Sequence, residues 1–313
     1  MPEIGIVIVT YNSEAEIGES LDAALRTGAD VVVVDNASGD GTIAEIARRG
    51  AHLIANPSNR GFAAAANQGF AVLTSPYILL LNPDSVLQTG LEALREACDL
   101  PGAAAAGGKL VDAHGRPQAG FMVRRLPTAA TLIAESLGWN RLWPNGRINR
   151  RYRALDLDVS KAQRVEQPAG AFLMVRRAIW HELGGFDEGF FPLWFEDVDF
   201  CRRLAGRGYY VYYVPQAVAK HTGGHSLVKL TLEKRRVYWY RNLLMYSARH
   251  FRPWAFRAVC LAVAAGAFPR MIVESASSRS TEPMAAYGTV MRLAGRCFLL
   301  GGRADAFGPA LGS

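Results

Sequence analysis

Short apolar runs alternate with helically spaced segments over roughly the first eighty residues, and this alternation constrains the fold more than any other feature. Residues 4–9 form a nearly continuous β-branched run, as expected of a strand that is buried on both faces. Similar runs follow at residues 31–34, 52–55 and 77–81, with helical patterns between them. Strands that alternate with helices predict right-handed crossovers, so we expect an α/β domain with a doubly wound, mostly parallel sheet.

Aspartates follow two of these predicted strands. Asp35 ends the second strand and Asp84 lies just beyond the fourth, at the sheet edge where ligands of doubly wound folds bind. No GxGxxG follows the first strand and no GxxxxGKS/T occurs, so the usual nicotinamide and ATP phosphate loops are disfavoured. A nucleotide site remains open if Asp35 and its turn hold the base and ribose, while Mg²⁺ or Mn²⁺ on Asp84 neutralises the phosphates. Turn formation by each aspartate is the alternative.

Two further polar residues are placed to serve such a site. Arg60 precedes a helix of small residues, where its guanidinium can meet a phosphate. His221 follows a later strand, and a histidine there is usually structural. If it folds back towards Asp84, one imidazole and one carboxylate make a divalent-metal site once phosphates join them.

An aromatic run in residues 190–204 stops abruptly at three carboxylates, Glu196, Asp197 and Asp199. A carboxylate that takes up a proton at neutral pH needs such surroundings, because partial desolvation raises its pKa. An acidic helix start favoured by the macrodipole, with core aromatics before it, explains the same pattern. Adjacent helical residues point in different directions, so Glu196 and Asp197 are not the facing pair that a glycoside hydrolase needs.

Composition places the chain among globular proteins. Of its 313 residues 50% are apolar and 20% charged, which allows one large α/β domain with an appendage. The four cysteines are scattered without a CxxC pair, which argues against a disulfide framework or zinc ribbon and for a reducing compartment. No basic segment precedes the first apolar run, so we do not expect a signal peptide.

Charge separates an acidic start from a basic end. Residues 1–100 carry 5 Lys and Arg against 13 Asp and Glu, whereas residues 225–313 carry 13 against 4. The apolar run of residues 258–269 is too short to span a bilayer, but its basic, aromatic-rich surroundings fit helices on an anionic membrane surface. Packing of these helices on the preceding domain explains them equally well. We expect no nucleic-acid partner, because no binding module is recognisable.

With these residues in place, the chain resembles the family-2 inverting glycosyltransferases of the GT-A fold, and among them the bacterial rhamnosyltransferase-like branch. Seven motifs occur in the family's order within residues 4–226, and seven in order are far more specific than any one. They are Val-Ile-Val-Thr-Tyr-Asn (7–12), Val-Asp-Asn-Ala-Ser-Gly-Asp-Gly-Thr (34–42), Asn-Arg-Gly-Phe (59–62), Asn-Pro-Asp (82–84), Gly-Gly-Phe-Asp (184–187), Glu-Asp-Val-Asp (196–199) and His-Thr-Gly-Gly-His-Ser (221–226).

The resemblance implies a role for each matching position. Asp84 and His221 would bind a divalent metal, Mg²⁺ or Mn²⁺, although the family's DxD element has Asn-Pro-Asp here and lacks its first carboxylate. Asp197 would be the general base, and Glu196 would support it or orient the acceptor. The nucleotide of the donor would be bound by residues of the first four motifs: Thr10, Tyr11, Asn12, Asp35, Asn36, Asn59, Arg60, Gly61, Asn82 and Pro83.

The implied reaction is inverting transfer of a sugar, rhamnose from dTDP-rhamnose in the first instance, to a hydroxyl of a polysaccharide or lipid-linked acceptor. Transfer of galactofuranose, glucose or mannose is the alternative, as is a non-catalytic nucleotide-sugar-binding protein. A sugar nucleotidyltransferase would need a Gly-rich basic loop after the first strand, which this chain lacks. We expect a cytoplasmic enzyme, peripheral on the inner membrane face, with a GT-A domain over residues 1–226, an acceptor-side insertion near 115–167 and a helical extension over 227–313.

Overall fold

A computed structural model describes residues 2–223 and 230–308, which form two compact units. Unit 1 comprises residues 2–126, 153–192 and 196–223, and unit 2 comprises residues 127–152, 193–195 and 230–308. The expected boundary at residue 226 and the last residues of the seventh motif, including His225 and Ser226, lie outside the described residues. The expected insertion of residues 115–167 is divided, because its middle part belongs to the helical unit.

Unit 1 is built around one large sheet. Its strands are β1 (Ile4–Thr10), β2 (Asp30–Asp35), β3 (His52–Ala55), β4 (Tyr77–Leu81), β5 (Ser85–Thr89), β6 (Ala103–Val111), β7 (Val123–Arg124), β8 (Gln163–Val165), β9 (Gln167–Pro168), β10 (Phe172–Arg176) and β11 (Tyr210–His221). Its helices, numbered along the whole chain, are α1 (Glu14–Leu25), α2 (Thr42–Ala47), α3 (Phe62–Val72), α4 (Leu91–Cys98), α8 (Arg177–Glu182) and α9 (Glu196–Gly206).

The strand order of the large sheet is β3-β2-β1-β4-β10-β6-β11-β5, with β8 also paired to β11. Strands β3, β2, β1 and β4 are parallel neighbours, and β11 is parallel to β6. Strand β10 lies antiparallel between β4 and β6, and β5 is antiparallel to β11. Strands β7 and β9 form a separate pair. This topology confirms the predicted α/β class with a doubly wound, largely parallel sheet.

Both faces of β1 are buried, as its uninterrupted apolar sequence indicates. Ile8 packs with Leu21 of α1 on one face, and Val7 packs with α3 on the other. A Cβ added at Gly69 of α3 would lie 2.5 Å from a methyl carbon of Val7, so the helix approaches the sheet as closely as a glycine allows. The start of α3 is joined to the end of β2 by Asn36 Nδ2, which donates to the Gly61 carbonyl at 3.0 Å.

Two strands are longer than the sequence indicates. Strand β6 begins at Ala103, whereas only residues 109–112 show a strand pattern, because alanines have low β-propensity and adopt the strand here through pairing with β10 and β11. Strand β11 continues through a register shift between Val214 and Val218 and ends at His221. The extension places His221 opposite Ser85 on β5.

The described part of unit 2 is helical. Its α-helices are α5 (Ala129–Leu137), α6 (Trp139–Leu142), α7 (Arg147–Tyr152), α10 (Leu232–His250), α11 (Pro253–Ser278) and α12 (Glu282–Leu300), followed by a 3-10 helix (Ala304–Phe307). Helix α11 packs against α10, α12 and α5. At the crossing with α5 the backbone of Ser136 leaves no room for a Cβ at Gly266, and Arg270 Nη2 donates to the Glu135 carbonyl oxygen at 2.8 Å.

Helix α11 has 26 residues, so the prediction of a twelve-residue apolar element was too short. The helix includes Pro269, the last residue of the apolar run, and continues to Ser278. Among the described residues α11 alone is long and apolar enough to cross a membrane, with a mean hydropathy of 1.6 over a window that is 39% buried. Core helices of soluble proteins meet the same criteria, so this finding does not by itself place α11 in a membrane.

The four cysteines are free thiols, and each is buried. Burial raises the pKa of Cys98, Cys260 and Cys297 to about 12. The same desolvation raises the pKa of the Cys201 thiol well above its usual range. The cysteines therefore behave as apolar core residues at neutral pH.

We expect Gly90→Ala to destabilise unit 1 by about 2 kcal/mol or more. Gly90 has φ +79°, and a Cβ there would lie 2.4 Å from the backbone of Ala217 on β11. Gly206→Ala is the matched control, because no atom lies within 4 Å of its added Cβ and alanine favours the helix. Urea unfolding measures both variants, and equal free energies of unfolding would contradict this account of the Gly90 contact.

Candidate active site

A buried carboxylate, Asp35, organises the turn after β2. Thr10 Oγ1 donates to Asp35 Oδ1 at 2.8 Å, the Ser38 amide donates to Oδ2 at 2.9 Å, and the Ser38 hydroxyl also donates to Oδ1. The Asp35 side chain is 0% exposed. Asp35 therefore shapes the turn from inside.

The chain after β1 is tied to the same turn. Asn12 N donates to Ser38 Oγ at 2.8 Å, and Asn12 Oδ1 accepts from Gly39 N at 2.7 Å. Asn12 has φ +53°, in the left-handed region that asparagine tolerates better than most residues. Tyr11 precedes it and is half-buried. Two hydrogen bonds therefore fix the loop that follows β1 against the loop that follows β2.

The third motif meets the second through side-chain amides. Asn36 Nδ2 donates to the Gly61 carbonyl at 3.0 Å, and Asn36 Oδ1 accepts from the Arg60 amide at 3.3 Å. Asn59 Oδ1 accepts from Gly61 N at 2.9 Å. The Arg60 side chain is exposed, and it forms no ion pair with another described residue. Its guanidinium is therefore available to an anion.

Gly61 connects this loop to the aromatic run of residues 190–192. Its φ is +84°, and an added Cβ would lie 2.8 Å from the Phe191 ring and 3.3 Å from the Pro192 carbonyl oxygen. Phe62 N donates to that same carbonyl oxygen at 2.7 Å. Glycine is required at this position both for its backbone conformation and for the close approach.

The Asn-Pro-Asp element forms a turn between β4 and β5. Asn82 N donates to the Ala171 carbonyl at 3.1 Å, and the Asn82 carbonyl accepts from Ser85 N at 3.0 Å. Pro83 is half-buried between them. The Asp84 side chain is 12% exposed, and its Oδ1 atom is buried without a hydrogen-bond donor among the described residues. A buried carboxylate oxygen of this kind is costly unless a ligand completes it.

His221 faces that oxygen. Its Nε2 atom lies 3.6 Å from Asp84 Oδ1. Gln118 Nε2 donates to the His221 carbonyl at 2.8 Å, which turns Gln118 Oε1 to the ring nitrogen Nδ1 at 2.9 Å. The Nδ1 atom of a neutral ring therefore carries the proton, and the Nε2 lone pair points to Asp84. Phe121 stacks on the imidazole at 5.0 Å with an angle of 8°.

Asp84 and His221 could supply two ligands to a divalent cation. Two ligands of one ion with bonds near 2.1 Å lie about 3.0 Å apart when cis and about 4.2 Å apart when trans. The observed 3.6 Å equals neither value, so one of the two side chains would have to shift when an ion binds. No group of three or more His, Cys, Asp or Glu side chains suited to a metal occurs in residues 2–223 and 230–308. Mg²⁺ and Mn²⁺ need no such group where substrate phosphates supply the remaining oxygens.

Asp197 lies at the start of α9 and is held by three donors. Gly170 N and Gln167 Nε2 donate to Asp197 Oδ2 at 3.0 and 3.1 Å, and Val198 N donates to Oδ1 at 2.8 Å. Desolvation raises the pKa of Asp197, against the lowering effect of the amides and of the positive charge of Arg124. The residue as a whole is half-buried.

The neighbouring carboxylates are in different environments. Burial and then the charge of Asp197 raise the pKa of Glu196 well above its usual range, and Glu196 Oε2 has no hydrogen-bond partner among the described residues. Asp199 is 2% exposed and pairs with Arg203 Nε at 2.7 Å. Asp199 is thus an ion-pair partner within α9, whereas burial and the neighbouring charge of Asp197 favour the protonated form of Glu196.

The candidate residues occupy one edge of the sheet. Asn82 N donates to the Ala171 carbonyl, and the adjacent Gly170 N donates to Asp197 Oδ2. The turn of Asp84 and the start of α9 therefore share one short segment of chain. Sequence reasoning did not identify Gln118, Phe121, Gln167 or Gly170. The two glutamines lie in a stretch without clear periodicity, and no local signal indicates which distant group each one contacts.

Comparison with known proteins then identifies the class. The family model described as Glycosyl transferase family 2 matches residues 5–181, and the chain belongs to this family of glycosyltransferases. A second model, described as Glycosyl transferase family group 2, matches residues 148–296.

Similar proteins agree with this assignment. An N-acetylglucosaminyl-diphospho-decaprenol L-rhamnosyltransferase of Mycobacterium tuberculosis is 30% identical over 241 residues, 71% of this chain and 76% of the relative. The mannosyltransferase PcManGT from Pyrobaculum calidifontis, solved with GDP-Man and Mn²⁺, has a TM-score of 0.54 at 19% identity and covers 95% of this chain and 87% of its own. GalNAc-T7, solved with UDP, GalNAc and Mn²⁺, has a TM-score of 0.53 at 13% identity. The match covers 78% of this chain and 49% of GalNAc-T7. The sequence relative supports the rhamnosyltransferase-like branch, and the structures show the GT-A fold.

Glu196→Gln should change how stability depends on pH. Folded Glu196 keeps its proton above the unfolded pKa of about 4.3, so the wild type loses free energy of unfolding as pH rises from that value towards the raised folded pKa. Glutamine does not titrate, so the melting temperature of the variant minus that of the wild type should grow from about pH 5 to about pH 8. Thermal unfolding over this pH range measures the difference. Glu3→Gln is the control, because the Glu3 side chain is 72% exposed. If the melting-temperature difference between Glu196→Gln and the wild type were as independent of pH as that of Glu3→Gln, the burial argument would be contradicted.

Proposed function

We propose that this glycosyltransferase moves rhamnose from dTDP-rhamnose, with inversion, to a hydroxyl of a polysaccharide or lipid-linked acceptor. The observation that carries this proposal is the 30% identity to a relative whose name gives both the sugar and a diphospho-decaprenol acceptor. Because the match covers 76% of that relative, it supports the same type of reaction over most of the enzyme.

In this proposal Asp197 is the general base. Gly170 and Gln167 fix its Oδ2 atom, which keeps the carboxylate in one orientation. The carboxylate takes the proton of the acceptor hydroxyl as that oxygen attacks the anomeric carbon from the side opposite the diphosphate, so the configuration inverts. A raised pKa makes the ionised form a stronger base. Burial raises the pKa of Glu196, and in its protonated form Glu196 would donate a hydrogen bond to the acceptor.

The donor nucleotide would lie over the loops after β1 and β2. Tyr11 and Asn12 would line the nucleoside, with Thr10 and Asp35 holding these loops in shape. Arg60 would meet the diphosphate. The remaining donor contacts are assigned to the amide-linked third motif and the fourth motif: Asn36, Asn59, Gly61, Asn82 and Pro83.

Asp84 and His221 would hold the divalent metal. When bound, Mg²⁺ or Mn²⁺ neutralises the charge that develops on the departing diphosphate. The two solved structures that contain Mn²⁺ support its use by proteins of this fold. Asn82 replaces the first carboxylate of the family's element, so we expect weak metal binding in the absence of the donor diphosphate.

We propose a cytoplasmic location on the inner membrane face, where a lipid-linked acceptor would be presented. The excess of positive charge in the last third of the chain supports attraction to an anionic leaflet. This location follows from the proposed acceptor class and is independent of the assignment of the base.

Titration calorimetry with Mn²⁺ present should show tighter binding of dTDP-rhamnose than of UDP-galactofuranose, UDP-glucose or GDP-mannose. Asp197→Asn should keep that binding, while sugar transfer falls by a factor on the order of 10² to 10⁴, because the amide cannot accept the proton. Asp199→Asn is the control for a nearby carboxylate of the same turn that pairs with Arg203. Preference for another donor would revise the sugar, and near-normal transfer by Asp197→Asn would remove the base assignment.

Gln118→Leu should weaken Mn²⁺ binding about 10-fold or more, because the His221 ring loses the partner that fixes its tautomer and orientation. Asp84→Ala should weaken it further by removing a ligand. Electron paramagnetic resonance of Mn²⁺ with dTDP measures free and bound ion directly, without turnover. Gln163→Leu, a glutamine away from the pair, is the control. Unchanged Mn²⁺ binding in Asp84→Ala would overturn the metal site.

A further inference from the structure

We infer that the exposed face of α11 lies on the headgroup region of an anionic lipid bilayer. This inference deepens the membrane-face location in the proposed function, and it depends neither on the donor sugar nor on the identity of the base. This face, the α11 outer face, comprises the side chains of Trp254, Leu261, Phe268 and Ile272.

The α11 outer face is a continuous apolar stripe. Its four side chains are 70%, 58%, 55% and 53% exposed, respectively, in sequence order. Their spacings of seven, seven and four residues keep them on one side of a helix with 3.6 residues per turn. Exposed large hydrophobic residues scattered singly need no explanation, whereas a stripe of four on one helix indicates an interaction surface.

The opposite face of α11 is already occupied. Val259 and Val263 are fully buried, and Gly266 lies against the Ser136 backbone. Arg270 donates to the carbonyl oxygens of Ser136 and Glu135. A bilayer-spanning α11 would have to leave these contacts and carry Arg270 into hydrocarbon. With one face packed and the other apolar, the helix suits the plane of the interface.

The charge of unit 2 complements an anionic surface. Residues 127–152, 193–195 and 230–308 carry 16 Lys and Arg against 5 Asp and Glu. Arg252 and Arg257 are exposed and flank Trp254 at the start of α11, where the cations can meet lipid phosphates while the indole lies at headgroup depth. Two copies of so basic a unit would repel each other across a shared interface, which favours lipid over a second copy.

Helix α6 and the residue after it, in the same unit, also expose large apolar side chains. Trp139, Leu142 and Trp143 are 50%, 69% and 65% exposed. Gly138, which starts this helix, lies close enough to Arg270 that an added Cβ would be 3.4 Å from Nη2. Tryptophans are the residues most favoured at the boundary between water and lipid. The exposed tryptophans of α6 and α11 therefore come from neighbouring elements of the same unit.

The test is flotation of the full-length protein with vesicles of phosphatidylcholine and phosphatidylglycerol. The wild type should float at low salt and less at high salt, because surface charge is screened. The triple variant L261Q/F268Q/I272Q should reduce the partition coefficient at least 10-fold. Arg252→Gln and Arg257→Gln should each reduce it about fivefold. The controls change exposed residues of unit 1 and should leave the partition coefficient nearly unchanged. They are the double variant I43Q/V72Q for the apolar residues and Arg48→Gln for the arginines.

Flotation that survives the triple variant, or a wild type that does not float, would overturn the inference. A wild-type dimer in sedimentation that the triple variant makes monomeric, without flotation, would assign the face to a second copy. Thermal unfolding verifies that each variant is folded. Transfer to a water-soluble acceptor should be equal in wild type and triple variant. If neither the wild type nor the triple variant transfers sugar while flotation behaves as expected, the proposed reaction is wrong but the inference about the α11 outer face stands.

Discussion

The antiparallel pairing of β10 with β4 is the contact on which the candidate site depends. Because β10 runs against its neighbour, its first residues lie at the edge where β1, β2 and β4 end. Ala171 then holds the turn of Asp84 through Asn82, and Gly170 holds Asp197. A parallel β10 would present its last residues there instead, and two carboxylates 113 positions apart in the chain would lose their common support.

Three carboxylates in one helical turn are stabilised in three different ways. Asp199 pairs with Arg203, burial raises the pKa of Glu196, and amide donors oppose the rise that burial causes in the pKa of Asp197. If all three were ionised, repulsion within the turn would be severe at low dielectric. A proton on Glu196 removes one of these charges, so the raised pKa of Glu196 favours the ionised form of Asp197.

The parts of the fold that the sequence predicts are those in which local pattern and tertiary environment agree. Residues 4–9 and 77–81 form buried parallel strands, which need β-branched or leucine side chains on both faces, and their type is clear from the sequence. Ala103 to Ala106 carry no such preference, because their conformation is imposed by β10 and β11. The length of α11 was underestimated for a related reason: a proline is compatible with a helix that neighbouring helices hold.

The candidate site divides in the same way. Asp35, Asp84, Asp197 and His221 stand in motifs, so the sequence alone is enough to select these four positions. Gln118 reaches across 103 residues to the imidazole, and no pattern in one sequence reports a contact of that range. Such supporting residues are determined by packing geometry, which depends on the register of strands that are far apart in the chain.

The burial of all four cysteines has a practical consequence for observing this enzyme. A thiol whose pKa is near 12 contributes almost no thiolate at neutral pH, and a maleimide or spin-label reagent reaches buried sulfur poorly. The protein's own four cysteines should therefore react very slowly with thiol reagents. One cysteine placed on an exposed position would be the single reactive handle, so distances and motions of either unit become measurable without first removing the native sulfurs.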